Sequence, residues 1–445
     1  MNSVRGMFAA ALAALLVTLA RAAPPPAVES RANWGQWRGP LSTGESPDAD
    51  PPLVWNEEDG TGIRWKTPIP GRGLSTPVVW GNRVFLTTAI PFGDALPPRP
   101  SKAPGNHDNL PVTHRHKFVA LAVDRASGKI AWQKTLREAL PHEQGHHTAS
   151  LASNSPATDG EHVFAFFGSF GLYCLDLNGK LIWEADFGPM QSLHGHGEGS
   201  SPALYKDTLV INWDHEGKSF VVALDKRTGK QKWKLQRDEV TSWASPIIVE
   251  HAGMPQLIIS GTSRIRGYEL ATGKVIWECG GLSSNIVASP VSDGRMVFAG
   301  SSYDKRALLA ILLEGAAGDI THSDRIAWNR FRGTPYVPSP LLYDGALYYL
   351  THYQGVLSRV DAVSGEDRPG AFRLHGIKSI YASPVAAAGR IYVTDLDGTT
   401  IVLGRGEIPR VLALNRLSEP VSASAAIAGK EMFLRGERHL YGLGN

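Results

Sequence analysis

Six Ser-Pro pairs divide most of this 445-residue chain into units of nearly constant length. The pairs end at Pro156, Pro202, Pro246, Pro290, Pro340 and Pro384, with successive gaps of 46, 44, 44, 50 and 44 residues. A period of that size is the mark of a repeat architecture, in which each unit buries its apolar face only against its neighbours. Within the units a second mark recurs, a small apolar run ending in an acid, then a Gly turn, then Trp. It reads Ala122-Val-Asp-Arg-Ala-Ser-Gly-Lys-Ile-Ala-Trp132, Cys174-Leu-Asp-Leu-Asn-Gly-Lys-Leu-Ile-Trp183, Ala223-Leu-Asp-Lys-Arg-Thr-Gly-Lys-Gln-Lys-Trp233 and Gly267-Tyr-Glu-Leu-Ala-Thr-Gly-Lys-Val-Ile-Trp277. The Gly supplies a turn residue with positive φ, and the flanking runs are short and β-rich, so each unit reads as strands joined by tight turns.

Four strands of this kind fill about 44 residues, the size of a β-propeller blade. The repeat tryptophans, Trp65, Trp132, Trp183, Trp233, Trp277 and Trp328, then have a packing role on outer strands, each indole N–H reaching a backbone carbonyl. Counting the degenerate units Ser75-Thr-Pro77 and Ser424-Ala-Ala gives eight openings, at 75, 155, 201, 245, 289, 339, 383 and 424. The last unit runs out at Leu440-Tyr-Gly-Leu-Gly-Asn445 without its Trp strand, while Thr61-Gly-Ile-Arg-Trp65-Lys near the N-terminus is such a strand without a unit. Pairing of 62–67 with 438–443 closes the ring and removes the open sheet edge. The predicted fold is all-β, an eight-bladed propeller closed by the N-terminal strand. Residues 61–445 form the propeller, 23–60 an N-terminal extension and 1–22 a secretory leader.

The leader reading rests on Arg5, the apolar run from Met7 to Ala20 and the small-x-small step Ala20-Arg-Ala22. That run is too short to span a bilayer, and no later stretch reaches about 20 apolar residues. No adjacent Arg pair marks a twin-arginine leader. A periplasmic or secreted location follows. Without residues 1–22 the chain carries 43 basic against 42 acidic side chains. That balance lacks the basic excess nucleic-acid binding needs. The two cysteines, Cys174 and Cys279, fall two units apart, beyond disulfide reach, and read as buried thiols.

The Ala-x-Asp-x-x-Thr-Gly-Lys-x-x-Trp repeats with Ser-Pro openings resemble the pyrroloquinoline-quinone (PQQ) repeat family, over roughly residues 61–445. That family holds quinoprotein alcohol dehydrogenases and outer-membrane-assembly lipoproteins, and the resemblance implies the quinoprotein-like eight-bladed propeller. The dehydrogenases typically place an adjacent Cys pair against PQQ, and here the cysteines stand 105 residues apart. No calcium-ligand set is placed by motif, and no catalytic residue carries over. The lipoproteins are anchored through a Cys after the leader, and Ala22-Ala-Pro-Pro-Pro26 has none, so no lipid anchor is expected.

In a blade running outward from the axis, the loop before strand one and the loop between strands two and three share a face. That face collects His142, Glu143, His146, His147, His194, His196, Glu198, Trp243, Asn285, Tyr336 and Tyr381 from the first kind of loop. The second kind adds Asp214, His215, Glu216, Arg264, Arg266, Tyr303, Asp304, Lys305, Arg306, His352, Asp395 and Asp397. Candidates for a divalent-metal site are His146, His147, His194, His196, Glu198, Asp214 and His215, since imidazole and carboxylate suit such ions. The alternative is that Gly195, Gly197 and Gly199 shape a tight loop whose His side chains bond neighbouring loops. His107, His114 and His116 lie in a Pro-rich insertion, residues 90–117, that forms either a lid over a mouth or a solvated excursion. Three functions remain: a non-catalytic exported propeller presenting this face to a protein or glycan, which is favoured and needs no cofactor; a PQQ- and calcium-dependent oxidoreductase; and a metal-binding propeller.

Overall fold

The computed structural model describes residues 28–351, 355–370 and 372–444. The leader-like residues 1–22 and His352 lie outside them. Eight antiparallel sheets form eight blades, at residues 78–139, 157–185, 203–236, 247–279, 291–330, 341–373 and 385–416, with the eighth made of 426–443 plus 63–68. Strand Ile63–Pro68 pairs antiparallel with strand His439–Leu443, from Ile63 opposite Leu443 to Pro68 opposite His439. The ring is therefore closed by the N-terminal strand. Sheet four carries a fifth, parallel strand, Gly318–Asp319, contributed by a long turn of blade five.

Burial explains the composition of each strand. Inner strands are packed on both faces, as in Thr208–Trp213, where every residue is buried. Such strands read as continuous apolar runs. Outer strands face solvent, and in Gln231–Gln236 only Trp233 is buried.

The Ser-Pro period has a physical cause at the axis. The backbone N–H of Ser155 donates to Ser201 Oγ, Ser201 to Ser245, Ser245 to Ser289, Ser289 to Ser339, Ser339 to Ser383 and Ser383 to Ser424, at 2.9–3.0 Å. Thr76 N–H donates to Ser155 Oγ at 3.0 Å, so in the first unit the residue in the serine slot is Thr76, one position after Ser75. The serine hydroxyl at each opening from Ser155 to Ser424 thus satisfies a buried amide of the preceding blade. The following proline brings no N–H of its own to the crowded axis.

The Gly-turn and Trp marks form a second belt at the rim. Trp65 Nε1 donates to Arg125 O, Trp132 to Leu177 O, Trp183 to Lys226 O, Trp233 to Leu270 O and Trp328 to Ala362 O, each in the next blade. The turn glycine of that next blade lies flat against the indole. A Cβ on Gly128, at φ 72°, would sit 2.6 Å from the Trp65 ring, so the turn excludes side chains on steric and conformational grounds. Trp277 differs, because blade five replaces the tight turn with the segment holding Gly318–Asp319. Its Nε1 donates to Gln256 Oε1 within its own blade. Cys174 sits opposite Trp183 in the register, buried and free, and burial pushes its thiol up to about 12. Cys279 is likewise buried and free, pushed up to about 11.

Residues 33–50 cross the disc on the face of the turns between strands one and two. Trp34 exchanges backbone hydrogen bonds with Val79, Gly35 O accepts from Thr158, Gly44 O and Ser46 N pair with Ala386, and Asp50 N donates to Gly429 O. Trp37 Nε1 reaches Ser289 Oγ on the axis at 3.1 Å. Arg38, 1% exposed, donates to the carbonyls of Pro384, Pro340 and Thr43. Burial without an acidic partner pulls its guanidinium down to about 9.

Candidate functional site

The serine belt surrounds an axial cavity of about 360 Å³. Trp37 forms its floor, the belt residues Thr76, Ser155, Ser201, Ser245, Ser289, Ser339, Ser383 and Ser424 its wall, and Trp243, Asn285, Tyr303, Tyr336 and Tyr381 its upper rim. His107, His146, His194 and His196 line the mouth above blades one to three. The cavity is blind on the floor side and opens on the loop face.

The roof comes from blade one. Its second and third strands, Arg83–Phe92 and Arg115–Asp124, are ten residues each and carry residues 93–114 between them. This insertion folds back over the mouth and is bonded there: Leu110 N donates to Gly145 O, His147 N to Asp108 O, and Asn109 Nδ2 to His194 O at 2.7 Å. The loop beneath takes the left-handed conformation at His194, φ 57°, and Gly195, φ 65°. A side chain at Gly195 would strike Ser101 Oγ at 2.4 Å, so glycine there lets the insertion lie down.

Folding back delivers His107 to the histidines of the loops. Its ring centroid is 4.6 Å from that of His196, 5.2 Å from His194 and 6.4 Å from His146. His194 and His196 are 5.3 Å apart, His146 and His196 4.9 Å, and His146 and His147 4.2 Å. The five rings form one cluster. Burial lowers the His196 imidazole to about 4, assisted by repulsion from His146, His107 and His194. Burial also lowers His146, with repulsion from His147 and His107. His196 stacks over Trp243, whose Nε1 donates to Gly197 O at 2.7 Å. The sequence placed His107 in the insertion without joining it to this cluster. Of its neighbours in sequence, the His114 ring stays with Thr113 Oγ1 and the His116 ring with the His114 carbonyl.

The carboxylates of the loop face are held elsewhere. Glu198 accepts from Ser169 N at 2.7 Å and from Ser169 Oγ at 2.5 Å, and burial pushes its carboxyl up to about 7. Asp214 is enclosed with Arg237, Nε to Oδ1 2.7 Å and Nη2 to Oδ2 3.0 Å, and accepts from Ser242. His215 Nδ1 accepts from Gln191 N, and Glu216 binds Thr241. Arg266 pairs with Glu239 and Glu278, and Asp395 accepts from Lys378 and Thr399 amides. His142 Nε2 rests on Met190 O at 2.8 Å, and Glu143 accepts from Ser192 Oγ at 2.6 Å. These groups brace loops, leaving imidazoles, hydroxyls and aromatic rings to face the cavity.

Among the described residues, ligand atoms of three metal-binding side chains already converge within 4.8 Å in two places, His142–Glu143–Glu198 and Asp159–Glu161–His162. The first set is occupied by the bonds just given. In the second, Asp159 pairs with Lys226 and accepts from the amides of Glu161 and His162. Both are turn-bracing arrangements.

Residues 116–368 match the sequence family described as outer membrane protein assembly factor BamB. Among solved structures, the chain is similar to BamB from Moraxella catarrhalis, with TM-score 0.52 and 14% identity over 80% of this chain and 99% of that one. It is also similar to quinohemoprotein alcohol dehydrogenase from Comamonas testosteroni, with TM-score 0.58 and 10% identity over 94% and 81% of the two chains. A third is quinohemoprotein alcohol dehydrogenase ADHIIG from Pseudomonas putida HK5, with TM-score 0.61 and 12% identity over 93% and 80%. No curated protein matches. At such identities the likeness to these structures is one of fold.

Proposed function

The chain belongs to the family of outer membrane protein assembly factor BamB, and from that premise we propose that it is an exported, non-catalytic propeller that docks a protein partner on its loop face. One observation carries the reading. The axial cavity is blind at Trp37 and opens on the face that holds both exposed residues among the described Phe, Tyr and Trp side chains, Phe331 at 63% and Tyr303 at 50%, with Val240 at 42% beside them. By blade topology these three belong to loops of blades four to six that face the same side as the mouth. Exposed aromatic groups beside a desolvated pocket are the usual anchors of a protein interface.

The lining supports binding over catalysis. Its one hydroxyl–imidazole pair, Thr148 Oγ1 to His146 Nδ1 at 2.7 Å, joins residues two apart, and no carboxylate is hydrogen-bonded to that ring. A nucleophile needs a base that a third group orients. Nor do the residues fit PQQ, a tricarboxylate. The described lining holds no Lys or Arg, and its one carboxylate, Glu198, is turned to Ser169. Export is supported by Arg5, the apolar run to Ala20 and Ala20-Arg-Ala22. No helix among the described residues is long and apolar enough to cross a membrane.

The test places a photo-crosslinking amino acid at Tyr303 or Phe331, and at Lys430 on the opposite face as control, in the living source cell. A discrete protein adduct from the loop face alone supports the reading. Glycan adducts, equal labelling at Lys430, or dye reduction with alcohol by protein given PQQ and Ca²⁺, overturn it.

A further inference from the structure

We infer that His107, His194 and His196 form a binding site for one late first-row divalent metal ion, which clasps the blade-one insertion over the mouth of the axial cavity. The site is built by two separate segments, the insertion and the loop entering blade three.

The spacing of the three rings matches a shared ion. A tetrahedral ion holding three imidazoles at metal–nitrogen distances of about 2.0–2.1 Å places their ring centroids roughly 5 Å apart. The three pairs here stand at 4.6, 5.2 and 5.3 Å. The triangle has the size that coordination imposes, although nothing in simple packing requires three rings to be mutually equidistant.

The tautomers leave lone pairs for the ion. His107 Nδ1 lies 3.0 Å from Gly105 O, and His194 Nδ1 lies 3.2 Å from Pro104 O. A carbonyl can only accept, so both Nδ1 atoms carry the proton and both Nε2 atoms keep their lone pair. Anchoring one ring nitrogen on a carbonyl while the other is left for a metal is the arrangement found around ligating histidines. His196 Nε2 is buried and has no hydrogen-bond partner, a loss that coordination repairs. His146 is excluded by the same reasoning. Thr148 N donates to its Nδ1, so its proton sits on Nε2.

The rings are tilted by 54–78° to one another and their ligand nitrogens do not lie within 4.8 Å of one another, so binding turns the rings about their terminal torsions, within the reach of the two Nδ1–carbonyl bonds, to bring the three lone pairs together. Those torsions are broad. Among the described residues no carboxylate is bonded to any of the three, and an all-imidazole set favours Zn²⁺, Cu²⁺ or Ni²⁺ over Mg²⁺ or Ca²⁺. The fourth position faces the cavity, where a water or a donor group of an occupant completes the shell.

The test uses untagged protein stripped with EDTA and titrated calorimetrically with ZnCl₂ alone. One saturable site per chain is expected. His107→Ala, in the insertion and outside the blades, should weaken it at least tenfold at unchanged melting temperature, and His107→Ala/His196→Gln should abolish it. His114→Ala should bind as the native chain does. Loading with Co²⁺ should give intense visible absorption of a four-coordinate ion in the native chain and only the weak six-coordinate spectrum in His107→Ala. Absence of a saturable site in the native chain, unchanged affinity in His107→Ala, or equal loss in His114→Ala overturns the assignment.

Discussion

Two excursions close the axial channel, one at each end, and they are built on opposite principles. The floor, residues 33–50, is pinned to seven blades by backbone bonds, by the buried side chains of Trp34 and Arg38, and by the side chains of Gln36 and Trp37. The roof, residues 93–114, touches only the loops above blades one to three, through a few amides and a set of imidazoles. Long insertions that make few buried contacts contribute little to global stability and open locally. The comparison assigns stability to the floor and local opening to the roof.

The sharpest way to break that assignment is to remove the floor while leaving the closing strand Ile63–Pro68 intact. Deleting 28–50 uncovers the inner ends of seven blades and the Trp34 site. A loss above about 5 kcal/mol in urea unfolding is expected, the sum of several core-sized truncations. A variant as stable as the native chain would show that ring closure alone holds the disc.

Within the floor, Arg38→Ala should account for about 2–4 kcal/mol, since it strands buried carbonyls of Pro340 and Pro384 and leaves a void. Arg38→Met refines the reading. If filling matters more than the hydrogen bonds, Met recovers most of the loss, whereas a deficit near that of Ala assigns the energy to the carbonyls. Trp37→Ala should cost less, about 1–3 kcal/mol, because the indole is only partly buried and makes one polar contact, with Ser289. A cost above that of Arg38→Ala would move the keystone from blades six and seven to the axis.

How much of this was legible in the sequence follows the same divide. Blade number, ring closure and the sites of packing glycines and tryptophans repeat with a period, and a period is visible without a structure. The serine openings were visible too, but not their role. A hydroxyl that satisfies the amide of the preceding unit, as Ser245 does for Ser201, is a contact between units that only the closed ring creates. Trp37 and Arg38 occur once each, in a segment that belongs to no blade, so no period pointed to them. Of the loop-face residues sorted by blade topology, His146, His194, His196, Glu198, Trp243, Asn285, Tyr303, Tyr336 and Tyr381 line one cavity. Which of them meet depended on how an aperiodic insertion folds, so His107 joined His194 and His196 while Asp214 and Glu198 went to Arg237 and Ser169.

The smallest effect on stability should come from the roof. Replacing residues 94–113 with an Asn-Gly turn lets Arg83–Phe92 and Arg115–Asp124 close as an ordinary hairpin, and shortening a loop recovers a little closure entropy. The hydrogen bonds lost, Leu110 to Gly145 and Asn109 to His194 among them, sit at a surface where water replaces them. Unfolding free energy should therefore stay within about 1 kcal/mol of the native chain. Amide exchange in residues 192–199 should nevertheless accelerate, because the strained turn at His194 loses the insertion that holds it down. If excision instead costs as much as Arg38→Ala, the roof is a structural strut and the two ends of the channel are built alike. If exchange in 192–199 is unchanged, the turn holds its own shape, and the imidazoles stay in place without the insertion.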